Sequence, residues 1–276
     1  MLLLLSACVS VGDDLGQVRR APPSEDSDDS SDTAGIDTSD TDTSGTDTGP
    51  DDTSRPLSTD TGNGANPQGV DVSHWDEDID WDAVAAGGVG WAYIKATQGT
   101  YFEDPAFQVN YDGARAAGLF RGAYHFAEPN TSSGAEQAQY FVDHGGDWVA
   151  DGCTLPGSLD IEWNPYEGDD CYDLSVDEMT AWIHSFVNEY EVLTGPPTIY
   201  CGQTWWSYCV DESSFEDSPL WVASWDDAAP NLPAGWGDYE FWQYGAAPVD
   251  GIPVDADVNV FNGSEARLGA LANDGI

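Results

Sequence analysis

The sequence predicts an α/β protein whose strands close into a barrel, on three observations. From Gly69 onward, short apolar and aromatic runs alternate with helical patterns, the order that builds a parallel sheet covered by helices. Eight strand candidates can be counted, the number that closes a barrel of this kind. Most of these strands also end in polar or aromatic residues, at the end where α/β barrels carry their chemistry.

The first strand is Gly69-Val70-Asp71-Val72, running into Ser73-His74-Trp75, and Asp80 is placed to cap a helix from Trp81 through Val84 toward Gly87. Trp91 to Thr97 is the second strand, followed by a glycine-containing loop at Gln98-Gly99-Thr100. Pro105 to Ala117 reads as a helix stopped by Gly118, Leu119 to Phe126 as the third strand, and Ser132 to His144 as a helix stopped by Gly145-Gly146. The fourth strand, Ser158 to Glu162, precedes a helix from Val176 to Leu193 whose Met179, Ile183, Phe186, Val187 and Tyr190 share one face. Beyond Gly195, strands at 198–201, 220–224, 240–244 and 258–261 are joined by loops without a long amphipathic helix.

The fourth strand carries the most pointed chemistry. Its two-residue period puts Asp160 and Glu162 on one face and Leu159 and Ile161 on the other, so both acids point into one space. Two carboxylates at a strand end, beside Trp163 and Tyr166, are what glycosidic cleavage requires: one acid protonated, one charged. The plain alternative is an edge strand with two solvated acids, in a chain where acids abound.

The chain has 51 acids against 7 bases, a formal charge of −44. Residues 69–276 alone hold 37 acids and 4 bases, so nucleic acid is excluded as a partner by phosphate repulsion. Residues 9–67 are Asp, Ser, Thr, Gly and Pro with recurring Asp-Thr pairs; such a segment buries too little apolar surface to offset its ordering entropy and is expected to be a disordered, acidic tether. Ahead of it, Leu5-Ser6-Ala7-Cys8 resembles a bacterial lipobox, which implies export and a lipid anchor at Cys8. The apolar run before it is short and has no basic residue, so the start of the protein is expected upstream of Met1. The organisation is therefore 1–8 signal-like, 9–67 linker, 68–276 folded and monomeric. The four remaining cysteines suggest two disulfides, with proximity favouring Cys153–Cys171 and Cys201–Cys209; no metal-ligand spacing occurs and no cofactor is expected.

Set side by side, the strand ends resemble glycoside hydrolase family 25. The matching stretches are Gly69-Val70-Asp71-Val72-Ser73, Ile94-Lys95-Ala96-Thr97-Gln98-Gly99, Gly122-Ala123-Tyr124-His125-Phe126, Leu159-Asp160-Ile161-Glu162, Phe241-Trp242-Gln243-Tyr244 and Asp257-Val258-Asn259. The resemblance covers residues 69–270 and implies a modified TIM-like barrel, (β/α)5(β)3, that hydrolyses the β-1,4 bond between N-acetylmuramic acid and N-acetylglucosamine in peptidoglycan. It also implies Glu162 as general acid, Asp160 as partner carboxylate, and Asp71 and Asp257 as supporting acids. Gln98 and Asp76 depart from the family pattern, which commonly has Glu and Gln there. Crowding by the other acids and an aromatic floor would keep Glu162 protonated. Asp160 can either attack the sugar directly or orient and charge-balance the substrate's own 2-acetamido group as that group attacks; the second, with retention, is the expected mechanism.

Lys95, Tyr124, His125, Tyr200, Trp225, Trp242, Gln243 and Asn259 are the substrate-binding candidates. Among them Lys95 can offset the acidic cluster, the aromatics can stack on sugars or simply fill the core, and His125 is a structural or positioning histidine rather than a base. A wall-binding lipoprotein that does not cut, and a hydrolase of another N-acetylated glycan such as chitin, are the competing functions.

Overall fold

The computed structural model describes residues 66–166, 168–210, 215–225 and 228–275. The lipobox-like stretch with Cys8, and residues 9–65 of the expected linker, lie outside the described residues.

The chain alternates β1 (Gln68–Val72), α1 (Trp81–Ala86), β2 (Val89–Gln98), β3 (Phe102–Glu103), α2 (Phe107–Ala116), β4 (Phe120–Phe126), α3 (Gly134–Phe141), β5 (Ser158–Asp160), α4 (Val176–Leu193), β6 (Thr198–Gly202) and α5 (Gln203–Cys209). It then runs through β7 (Leu220–Ala223), β8 (Phe241–Pro248), β9 (Asp255–Phe261) and α6 (Glu265–Asp274). Asp80 caps α1 through the Ala83 amide, and Ser133 and Ser175 open α3 and α4 with reciprocal Glu136 and Glu178 contacts. Neighbouring strands pair in the order β1-β9-β8-β7-β6-β5-β4-β2, and β1 closes on β2. Five strand–helix units followed by three strands make the (β/α)5(β)3 barrel.

The structure corrects the expected elements in four places. The last strand is antiparallel to both of its neighbours, β8 and β1, because a hairpin connects β8 directly to β9 with no crossover helix between them. The fourth strand ends at Asp160, and Glu162 sits just beyond it in the following loop. Helix α6 was not foreseen, and α5, the fifth helix that the family resemblance implies, was not legible in the local pattern. Helix α5 is rich in Trp, Ser and Thr, poor helix formers, and is held by the burial of Trp205 and Trp206. The cysteines also pair differently: Cys171 bonds to Cys209 and Cys201 is a buried thiol, so neither expected pairing forms. The bond therefore ties the loop after β5 to α5, elements distant in sequence and adjacent in the barrel.

Alternation along the strands divides the apolar residues between two layers. Outward positions such as Ile94, Ala123, Leu159, Ile199 and Val222 pack under the helices. Inward positions build an aromatic floor of Trp91, Tyr93, Phe120, Trp221, Phe241 and Phe261, sealed by Leu268 and Leu271 of α6. Two inward glycines make room for it: a Cβ on Gly69 would lie 2.1 Å from the Trp91 ring, and one on Gly122 2.2 Å from the Tyr93 ring. With the lower half filled by rings, the polar inward residues gather at the carboxyl ends of the strands.

Candidate active site

Asp71 lies at the end of β1, where the backbone register pairs it with Asp257 of β9. Its Oδ2 accepts hydrogen bonds from Asn259 Nδ2 at 2.7 Å and Gln243 Nε2 at 3.0 Å. Both amides are oriented by donors that cannot reverse. The Trp221 indole donates to Asn259 Oδ1 at 2.8 Å, and the Trp225 indole and the Tyr200 hydroxyl each donate to Gln243 Oε1 at 2.9 Å. An indole N–H can only donate, so the amide NH2 groups must face Asp71. Burial, reinforced by the charge of Asp257, nevertheless pushes the Asp71 carboxyl up to about 8.

Asp160 ends β5 and is buried, with Oδ1 lacking any hydrogen-bond partner. Burial first, then the neighbouring Glu162 charge, raises its proton affinity well above the ordinary carboxylate range, and Lys95 pulls the other way. Glu162 is half-buried in the cleft wall; burial and the Asp257 charge push it up to about 7. Asp257 is pushed up to about 6, mainly by burial and then by Asp76. Four carboxyl groups thus face one another with Lys95 as the nearby cation. Of the four, Glu162 lines a cleft of about 480 Å³, together with Trp163, Tyr200, Gln203, Trp225 and Gln243.

The candidate residues therefore divide. Asp71, Asp160, Glu162, Asp257, Lys95, Tyr124, Tyr200, Trp225, Gln243 and Asn259 come together at the inner face and the cleft. His125 and Trp242 do not. His125 points outward from β4, fully buried between Phe141 and Phe186, with Nδ1 2.8 Å from Thr97 Oγ1 and Nε2 2.9 Å from Gln137 Oε1. Burial lowers its pKa to about 4, so it is a neutral core residue rather than a ligand for substrate. Trp242 falls one position before the inward Gln243, so alternation sends it to the outer face, where its indole donates to the Ser224 carbonyl at 2.8 Å.

Several aromatic residues at the site were not among the substrate-binding candidates. Trp163, 40% exposed, stacks on Tyr208 of α5 with ring centroids 6.3 Å apart. Trp75, Tyr101 and Tyr166 are exposed as well, as is the candidate Trp225, and all follow the carboxyl ends of barrel strands. The available signal was position: each comes within a few residues of a strand end, in the face that the fold class already assigns to ligands.

The chain matches the family model of Glycosyl hydrolases family 25 over residues 70–251. It belongs to that family. It is 49% identical over 211 residues to Lysozyme M1 of Streptomyces globisporus, covering 75% of this chain and 71% of that one. It is 38% identical over 214 residues to the N,O-diacetylmuramidase of Chalaropsis sp, covering 74% of this chain and 98% of the relative. Among solved structures, the bacterial lysozyme of Streptomyces coelicolor superposes with a TM-score of 0.75 at 47% identity, over 77% of this chain and 99% of that one. The family 25 barrel expected from the strand ends is thus the barrel observed.

Proposed function

We propose that this family 25 hydrolase is a muramidase, cleaving the β-1,4 bond between N-acetylmuramic acid and N-acetylglucosamine in peptidoglycan, with Glu162 as the general acid and Asp160 as its partner. The observation that carries the assignment of roles is the contrast between the two acids. Glu162 lines the open cleft with a carboxyl pushed up to about 7, so near neutrality it holds a proton to give and can regain it. Asp160 is buried behind it with an oxygen that has no donor.

An unpartnered buried oxygen is costly until something donates to it. The N–H of the substrate's 2-acetamido group is such a donor, and this favours substrate assistance. In that route the acetamido oxygen attacks the anomeric carbon while the glycosidic oxygen takes the Glu162 proton and leaves. Water then opens the cyclic intermediate, giving a proton to the Glu162 carboxylate, and the anomeric configuration is retained. Asp257 supports the pair through its charge, which helps to keep a proton on Glu162, while Asp71, pushed up to about 8, holds a proton of its own near neutrality. Tyr200, Trp225 and Gln243 line the sugar-binding side.

The Cys171–Cys209 disulfide fits an exported protein, as lysis of cell walls requires. Glu162→Gln is expected to lower lysis of purified peptidoglycan by at least about a thousandfold with an unchanged melting curve. Near-normal turnover by that variant removes Glu162 from the role. Chitin assayed in parallel should be a poor substrate, and product NMR should show retention; inversion would contradict both versions of the Asp160 role.

A further inference from the structure

Lys95 is the single lysine of the chain, and it is buried on the inner face of β2. Charged groups face it from Asp160 and Glu162 at the end of β5, Asp104 ahead of α2 and Glu128 after β4. Glu162 in turn faces Asp257, and Asp160 faces Asp71 and Asp257. Yet among the described residues no carboxylate oxygen lies within ion-pair distance of the ammonium. The ammonium donates instead to a neutral amide, Gln98 Oε1, at 2.8 Å, and the rings of Phe126 and Phe102 lie 4.8 and 5.8 Å away.

A backbone irregularity brings Gln98 there. Lys95 pairs with Tyr124, but Thr97 pairs with His125 and Gln98 with Phe126, so Ala96 is an extra residue in β2. Without that bulge, Thr97 would face inward beside Lys95 and Gln98 outward. The amide has only one workable orientation, because an ammonium can only donate and a carboxylate can only accept. Gln98 Nε2 therefore donates to Glu128 Oε1 at 2.7 Å, and it also reaches the hydroxyls of Tyr101 and Tyr166. Tyr101 donates to the same Glu128 oxygen at 2.8 Å. Tyr166 belongs to the loop that carries Glu162.

We propose that Gln98 is a positioning residue for the reaction. Its amide stands between Lys95 and Glu128, so the ammonium is anchored without being neutralised by contact and its charge stays directed at Asp160 and Glu162. The same amide ties down the loop carrying Glu162 through Tyr166. The inference rests on Asp160 and Glu162 being the reacting pair.

Gln98→Glu tests it by placing a carboxylate against the ammonium. Lys95 then holds Glu162 less strongly in its ionised form, and the alkaline limb of kcat against pH moves up by roughly half a unit to one unit. Gln98→Met, of similar length and uncharged, should move the limb the same way, because Lys95 and Glu128 both lose their partner and are left to pair with each other; it is the variant to read where Gln98→Glu does not fold. In a Lys95→Met background, Gln98→Met should move nothing. Tyr166→Phe leaves the Lys95–Gln98 bond intact and should raise KM about threefold with an unshifted limb. An unmoved limb in a folded Gln98 variant overturns the inference while leaving the catalytic pair in place. Undiminished lysis by Glu162→Gln overturns instead the reading on which it rests.

Discussion

At the scale of single residues, Asp71 is where the proposed activity and stability pull against each other. Two oriented amides hydrogen-bond its carboxylate and favour the charged form, but burial and Asp257 outweigh them. Asp71→Asn keeps a carbonyl oxygen for both amides and removes the buried charge. It should raise the melting temperature at pH 8 by roughly 2–4 °C, about 1 kcal/mol for a domain of this size, while lowering lysis at least about tenfold. Calorimetry with a turbidity assay on cell walls separates the two effects; a variant both less stable and fully active contradicts this account. Asp71 and Gln243 were legible as candidates because each ends a strand. Trp225 was a candidate too, as a sugar platform; that its indole and that of Trp221 orient the amides was not legible, since an aromatic at a strand end reads equally as core or platform until its N–H finds a partner. His125 and Trp242 were misplaced for one shared reason: proximity to a strand end does not say which face a residue takes, and a one-position difference reverses it.

At the scale of elements, the loop between β5 and α4 joins the site together. It carries Glu162, Trp163 and Tyr166 and is fastened at Cys171 to Cys209 of α5, beside Tyr208. The bond spans 38 residues, for which chain entropy alone corresponds to roughly 4 kcal/mol. Beside it, Tyr172 and Asp173 take positive φ of 60° and 59°, a conformation that side chains adopt only when held. Replacing Cys171 and Cys209 together by Ala should therefore destabilise the domain by about 3–4 kcal/mol in denaturant titration. It should also raise KM several-fold, with kcat changed less, as Trp163 loses its fixed place against Tyr208. Unchanged KM would mean that the loop is held well enough by its hydrogen bonds and packing.

At the scale of the whole molecule, the barrel interior is divided between an aromatic floor and an acidic mouth. The division has a consequence for stability against pH. Asp71, Glu162 and Asp257 are pushed up to about 8, 7 and 6 from ordinary values of 3.8, 4.5 and 3.8. Between about pH 4 and 8 the folded chain thus holds protons that the unfolded chain has lost, so stability falls as pH rises through that window. His125 acts oppositely: its pKa is lowered from 6.5 to about 4, which costs stability as pH falls through that range. The clearest signal lies between pH 6.5 and 8, where the carboxyl groups outweigh His125. Melting temperature should decline across that interval, and added salt should raise it at pH 8 by screening a chain of formal charge −44. A melting temperature that rises from pH 6.5 to 8 would show that the carboxyls are not held protonated.

Hydrophobic periodicity, strand count and the residues at strand ends determined the barrel class, the carboxyl-end location of the candidate site and its candidate acids, because these depend on local pattern and a shared chain order. The antiparallel last strand, the Cys171–Cys209 pairing, helix α5, and the bulge that turns Gln98 inward were decided only by the closed barrel. Closure brings β1 against β9 and the loop after β5 against α5, and such contacts, made between residues remote in sequence, leave no periodic trace along the chain. The Asp160–Glu162 pair spans both levels. Sequence alone set the two acids side by side, while the tertiary structure buried one beside an open cleft and left the other in its wall.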